Sequence, residues 1–201
     1  MHGKQDQQAG FSIVELLVVL AIAGIIAAMA LPSAERTLAD VRLHNDARAI
    51  DSLASLAKMR AAAKFTRVRL YCDLGAETFL LQDWDKTANT WVAEDGAQTL
   101  STNVDFSFDA LTVPPKDTQA ALQQAAACKA DDGVTDLGNT ACIVFNSRGI
   151  PVNAIGDPDG NGAIYVTDHS TGVYGVTVSA TPLVRMWWSP PKAADDEWVH
   201  K

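Results

Sequence analysis

The sequence is short of positive charge: 16 Lys and Arg stand against 24 Asp and Glu in 201 residues, a formal net charge of −8. Surfaces that hold nucleic acid by its phosphates are built from Lys and Arg clusters, so this balance argues against a general nucleic-acid partner. Histidine is also scarce. His2, His44, His169 and His200 lie far apart, and none has a Ser or Cys beside it in a nucleophile setting, so no enzyme is expected. The three cysteines, Cys72, Cys128 and Cys142, lack the Cys2His2 spacing of a zinc site, and no cofactor is assigned from them. Positive charge is thin near the N-terminus as well. Only Lys4 precedes the long apolar run there, and Arg36 and Arg42 follow it among acids, so the positive-inside rule gives no orientation.

That run is the chain's most informative stretch. Gly10-Phe11-Ser12-Ile13-Val14-Glu15-Leu16-Leu17 leads into an apolar sequence that reaches Leu31 and closes at Pro32. Its length of about 20 residues suits a helix crossing a hydrocarbon layer ~30 Å thick. The one charge inside is Glu15, and an ionised carboxylate at such a place costs a few kcal/mol, so it is expected to have a partner and a task. An ordinary signal peptide places charge before its apolar core and a small-residue cleavage motif after it. Here the order is reversed.

A short polar leader ending in glycine, then Phe, then an acid five residues past the glycine, then an unbroken apolar run, resembles the class III signal of type IV pilins and type II secretion pseudopilins. The resemblance implies that a membrane prepilin peptidase/N-methyltransferase cuts between Gly10 and Phe11 and methylates the new terminus at Phe11. It implies that Glu15 serves assembly. The physics agrees: a buried α-amino cation at Phe11 and the Glu15 carboxylate of a neighbouring subunit would neutralise each other. The resemblance further implies residence in the bacterial inner membrane as a single-pass protein with its head outward, then entry into a pilus or a periplasmic pseudopilus. Pro32 removes a backbone donor and clashes with the preceding turn, which predicts a kink near 28–32; a plain helix boundary there reads equally well.

Between Ser33 and Lys64 there is no Gly or Pro, and Leu38, Val41, Asn45, Ala49, Leu53 and Leu56 recur three and four apart, which predicts an amphipathic helix. From Phe65 the period becomes two. Val68, Leu70 and Cys72 alternate with Arg67, Arg69 and Tyr71; Thr78–Trp84 and Thr90–Glu94 flank a turn and predict a hairpin; 104–108 alternates again. Pro114 to Gly138 breaks the pattern, with a short Ala/Gln helix expected over Asp117–Lys129 and a turn at Asp131-Asp132-Gly133. Cys142–Phe145 returns as a strand. Ala163–Thr167 and Val173–Ser179 predict a second hairpin about Asp168–Gly172, and Leu183–Trp188 an edge strand.

The order Val144-Phe145-Asn146-Ser147-Arg148-Gly149, hairpin, Val176-Thr177-Val178-Ser179 resembles the C-terminal half of GspH/FimT-type minor pilins and pseudopilins. Where that group closes with a Gly-Arg pair, this chain has Ala180-Thr181-Pro182-Leu183-Val184-Arg185. The basic C-terminal motif that some relatives link to DNA uptake is therefore reduced to Arg185.

Cys128 and Cys142 bracket an Asp/Gly-rich loop and would close a ring of about 15 residues, worth roughly 3 kcal/mol in the chain-entropy model. Cys72, at an inward strand position, reads as a buried free thiol, with a bridge from it to either of the others as the alternative. Asp157, Asp159, Asn161 and Asp168, with Gly162 among them, approach calcium-loop spacing, although the flanks are strands and such clusters also make plain turns. No metal is assigned there. Trp187, Trp188 and Trp198 read as packing residues, close to an acidic Asp195-Asp196-Glu197 run that could meet a partner subunit.

These readings give an α+β protein: a long N-terminal membrane-spanning helix packed on an antiparallel β-sheet head, as in pilins. Its segments are a leader at 1–10, a transmembrane and assembly helix at 11–32, an amphipathic continuation at 33–65 and a β-rich head at 66–201. The expected function is that of a minor pilin or pseudopilin whose partners are other such subunits. A tip module that binds DNA or a surface ligand is the alternative.

Overall fold

The computed structural model describes residues 12–191 and 197–201, the side chains of 29–33 excepted. Two compact units divide the chain, one up to Leu38 and one from Ala39 to the end. One helix, α1 (Ile13–Lys64), contributes to both. The C-terminal unit holds the rest of α1 and ten strands: β1 (Val68–Asp73), β2 (Thr78–Asp85), β3 (Thr90–Ala93), β4 (Gln98–Thr99), β5 (Thr140–Phe145), β6 (Pro151–Val152), β7 (Gly162–Thr167), β8 (Val173–Val178), β9 (Val184–Ser189) and β10 (Val199–His200).

Within this unit α1 buries Leu43, Ala47, Ile50, Ala54, Ala57 and Ala61 completely. Their spacing of four and three traces one helical face. Alanine at four of the six positions brings the helix close to Val68, Leu70, Phe79, Ile143 and Phe145 of the sheet in a single core. The stripe expected from the sequence is out of phase: Leu38 and Val41 are exposed, and Ala49, Leu53 and Leu56 only flank the contact. The same face buries Asp46, whose carboxylate accepts the Ser101 N–H at 2.8 Å and the Ser101 hydroxyl at 3.0 Å. The helix ends as the Schellman motif requires, with the Thr66 N–H reaching the Ala61 carbonyl at 3.3 Å and Phe65 left-handed at φ 51°.

The strands make two antiparallel sheets. The first runs β3-β2-β1-β5-β6, with β4 also on β2; the second runs β10-β9-β8-β7. Both predicted hairpins are present, in the registers Trp84↔Trp91 and Tyr165↔Gly175. Inward Val68, Leu70 and Cys72 meet α1, leaving Arg67, Arg69 and Tyr71 on the opposite face of the first sheet. The second sheet is covered on both faces. Ile164, Val166, Tyr174, Val176 and Val178 join the main core, whereas Ala163, Tyr165 and Val173 join Leu111, with Phe108, Leu122 and Trp198 packed beside them.

Three expectations fail here. Residues 117–129 form an extended strap and no helix. Its glutamines are used as substitute peptide groups: the Gln124 amide donates to the Tyr165 carbonyl at 2.9 Å and accepts the Tyr165 N–H at 2.8 Å, while the Tyr165 hydroxyl donates to Gln119 at 2.7 Å. The strap backbone bonds β7 through Ala125 to Ala163 and β5 through Cys142 to Ala126, so tertiary pairing of sheet edges overrides the local helix propensity. Residues 104–108 are no strand but a single bridge between Asp105 and Thr167. Phe106 turns to the main core against Phe79 and Phe108 to the second cluster against Tyr165, so the alternation does not mark one face. Finally, β9 is flanked in part by β10, which pairs Val199 with Trp188 and His200 with Trp187.

Candidate functional site

The N-terminal unit starts with a helix cap. The Ser12 hydroxyl accepts the Val14 N–H at 3.3 Å and its carbonyl accepts the Leu16 N–H at 3.1 Å, using donors that a helix start otherwise leaves unpaired. Glu15 follows in the first turn, where a negative charge is favoured by the helix dipole. Every side chain from Ser12 to Ala28 is exposed. Ile13, Val14, Leu16, Leu17, Val18, Val19 and Leu20 are all large, apolar and uncovered; at ~100° per residue they point all round the helix. A helix apolar on every side needs lipid or other helices about it.

Among the described residues no helix is long and apolar enough to cross a membrane. The apolar run expected over 11–31 reaches beyond the described side chains, which stop at Ala28 in this stretch. The expected cut at Gly10 and terminus at Phe11 lie outside the described residues. At Pro32 helix α1 continues, with the proline side chain likewise outside the described residues.

Residues 6–31 match the family model of the prokaryotic N-terminal methylation motif. This motif takes in Gly10, Phe11 and Glu15, the residues that carried the prepilin resemblance. No curated protein matches the sequence. Among solved structures, the minor pseudopilin EpsH from the type 2 secretion system of Vibrio cholerae is similar at 10% identity and a TM-score of 0.48, over 76% of this chain and 99% of that one. A likeness of that size carries no inference.

Cys128 and Cys142 form a disulfide with Cα atoms 4.9 Å apart, and Cys72 is a buried free thiol. Burial pushes the Cys72 thiol well above its ordinary range, so the reactive thiolate is suppressed. The suggested calcium ligands do not converge. Asp159 accepts from the Asn161 backbone and side chain, both at 2.9 Å, at one end of β7, whereas Asp168 caps the turn at the other end, accepting Thr171 N–H at 2.8 Å. Six strand residues at ~3.3 Å each separate the two ends. Among the described residues no group of three or more His, Cys, Asp or Glu is gathered as a metal would need.

His44 bonds the Tyr174 hydroxyl at 3.2 Å, and His169 lies between Asp105 at 2.9 Å and Asp109 at 3.6 Å. The Asp105 hydrogen bond leads in raising the His169 pKa above its ordinary value. The tail tryptophans pack: Trp187 donates to Thr177 at 2.9 Å, Trp198 to the Val113 carbonyl at 2.8 Å, and Trp188 lies against the core. Arg185 is exposed, as is Glu197. Asp195 and Asp196 lie outside the described residues.

One cluster has no counterpart in the sequence reading. On the face of the first sheet turned away from α1, Arg67 stacks over Trp84 with its guanidinium carbon 4.5 Å from the ring centre, and Arg69 stacks over Trp91 at 4.1 Å. Period two already places Arg67 and Arg69 on the outward face; their pairing with Trp84 and Trp91 needs the register of three strands.

Proposed function

We propose that the chain is a minor pilin or pseudopilin, a structural subunit that acts through assembly. The observation that carries this reading is the coincidence of Gly10, Phe11 and Glu15 in a methylation motif with a helix stretch that is apolar on all sides and uncovered from Ser12 to Ala28. A prepilin peptidase/N-methyltransferase removes 1–10 and methylates Phe11. The subunit waits in the bacterial inner membrane as a single-pass protein with its β-rich unit outward. It then leaves the lipid by burying its helix against those of other pilin or pseudopilin subunits. Glu15 sets the stagger in this step, since a carboxylate without a partner in an apolar bundle is costly and the terminal amine of a neighbour satisfies it. Pro32 supplies a place where the helix can loosen during assembly.

Intact-mass spectrometry of the protein purified from the membranes of a host that carries the peptidase tests the reading. The expected species begins at Phe11 and carries one added methyl group, and Gly10→Val retains the leader. A chain that stays uncut in the wild type, or a Gly10→Val chain cut normally, refutes it.

A further inference from the structure

The outward face of the first sheet forms the floor of a cavity of about 760 Å³. Its walls are the disulfide-closed segment 128–142 and the loop 153–161. That size lies in the range of sites for small organic ligands. The apolar lining includes Val144, Val152 and Ile155, and the polar lining includes Arg67 and Arg69.

Arg69 is the unusual group. Only 3% of it is exposed, and among the described residues it has no ion pair with a carboxylate. Its Nε donates to the Gln82 side-chain oxygen at 2.7 Å and one terminal nitrogen donates to the Lys129 carbonyl at 2.6 Å, which leaves the rest of its five-donor fork without a protein acceptor among the described residues. Burial lowers its pKa to about 10, so it remains a cation at neutral pH. Interior charges are normally paired, because desolvating one alone is costly. Arg67 is exposed and also without a carboxylate.

The aromatic rings decide which side of each guanidinium is open. Trp91 covers Arg69, whose guanidinium carbon also lies 5.4 Å from the Tyr71 ring centre, and Trp84 covers Arg67. Stacking occupies the flat faces and leaves the N–H edges, the direction from which a carboxylate binds a guanidinium in plane. Of the nearby acids, Asp131 favours the Arg69 charge from a distance without an ion pair and accepts the Trp91 backbone N–H at 2.9 Å, Asp136 pairs with Lys129 at 2.7 Å and Asp159 accepts from Asn161. Their presence still disfavours a doubly charged ligand. We infer that the groove binds a single carboxylate carried on a compact apolar or aromatic body, through the N–H edges of Arg69 and Arg67 with the body against Val144 and Val152. A small organic acid and the C-terminal end of a peptide share this chemistry. The inference is independent of the N-terminal motif.

The test uses the full-length chain in a non-ionic detergent, read by tryptophan fluorescence. The probes are 3-phenylpropionate and acetyl-Val-Phe, their neutral amides, phenyl phosphate and a short DNA oligonucleotide. Saturable changes are expected with the two acids, with affinity at least tenfold weaker for the amides and for phenyl phosphate. Tighter binding of the peptide acid identifies a chain end as the source, and equal or tighter binding of 3-phenylpropionate identifies a small acid. Arg67→Gln and Arg69→Gln should each weaken acid binding tenfold or more with unchanged circular dichroism. If Arg69→Gln fails to fold, Arg67→Gln and the acid-to-amide ratio decide. Equal affinity for acid and amide, preference for phosphate or DNA, or no saturation by either acid in the millimolar range overturns the inference.

Discussion

Opening the Cys128–Cys142 bridge tests how the head is stabilised. The two residues are 14 apart in sequence, so the bridge closes a ring of 15 residues counting both ends. In the chain-entropy model a ring of that size restricts the unfolded chain by about 10 cal/mol/K, or ~3 kcal/mol at 25 °C. The folded ring also has supports of its own. Leu137 N–H reaches the Cys128 carbonyl at 2.8 Å, Ala130 N–H the Thr135 carbonyl at 2.8 Å, and Arg69 and Trp91 anchor it to the sheet through Lys129 and Asp131. The folded geometry should therefore survive reduction, and the loss should come from the unfolded side. Urea unfolding of the full-length protein in detergent, oxidised against reduced, is the assay. With a slope of about 2 kcal/mol/M, ~3 kcal/mol moves the midpoint down by roughly 1.5 M. Reduction avoids the packing change that Cys128→Ala with Cys142→Ala would add, Cys128 being fully buried and Cys142 half-buried. The double variant should fall at least as far and no longer respond to reductant. A shift below about 0.5 kcal/mol on reduction would refute the entropic account.

Phe65→Gly should stabilise the protein by about 0.5–1 kcal/mol, because Phe65 is left-handed at φ 51° and 73% exposed, so relieved strain outweighs lost contact; a lower melting midpoint would count against it. Gly175→Ala should destabilise by roughly 1–3 kcal/mol, since a Cβ there would lie 2.6 Å from the buried Tyr165 ring, and unchanged urea unfolding would show that the ring can move at no cost. For His169 the folded pKa is raised by Asp105 and Asp109, so its contribution is fully present below the unfolded value near 6.5 and is lost as pH rises through the folded one. At a half-exposed site this amounts to less than ~1 kcal/mol; the stability gap between wild type and His169→Gln should narrow from pH 6 to pH 8.5, and a gap that widens contradicts the assignment.

What the sequence discloses about the head follows from how far each determinant reaches along the chain. Hairpins are local: the alternation of β1 and the turns at Asp85 and Asp168 lie within a few residues of the strands they serve, and both hairpins are found. The phase of α1 is not legible because spacings of three and four trace two neighbouring faces, one through Ala49, Leu53 and Leu56 and one through Ala47, Ile50 and Ala54. Close packing against a sheet selects Ala47, Ala54, Ala57 and Ala61 for the central ridge and sends Leu53 and Leu56 to its sides. The strap at 117–129 is misread for a different reason. Its Ala and Gln residues favour a helix in isolation, but the edges of β5 and β7 offer unpaired backbone groups that only the folded sheets create.

The same distinction separates the two places where function is read. Gly10, Phe11 and Glu15 act as neighbours on one short stretch, so their order in sequence is already their chemistry. Arg67, Trp84, Trp91, Lys129 and Val152 span much of the chain and share a groove only after five strands and a disulfide have aligned. Each of them taken alone reads as a solvated strand residue or a turn. Arg69 becomes informative only once its burial is known, since an exposed arginine needs no partner and a buried one does. Because the motif lies in the N-terminal unit and the groove in the C-terminal one, the two can be separated by mutation. Arg67→Gln should leave cleavage at Gly10 and methylation of Phe11 intact while weakening carboxylate binding, whereas an uncut Arg67→Gln chain would mean that the two units do not act independently.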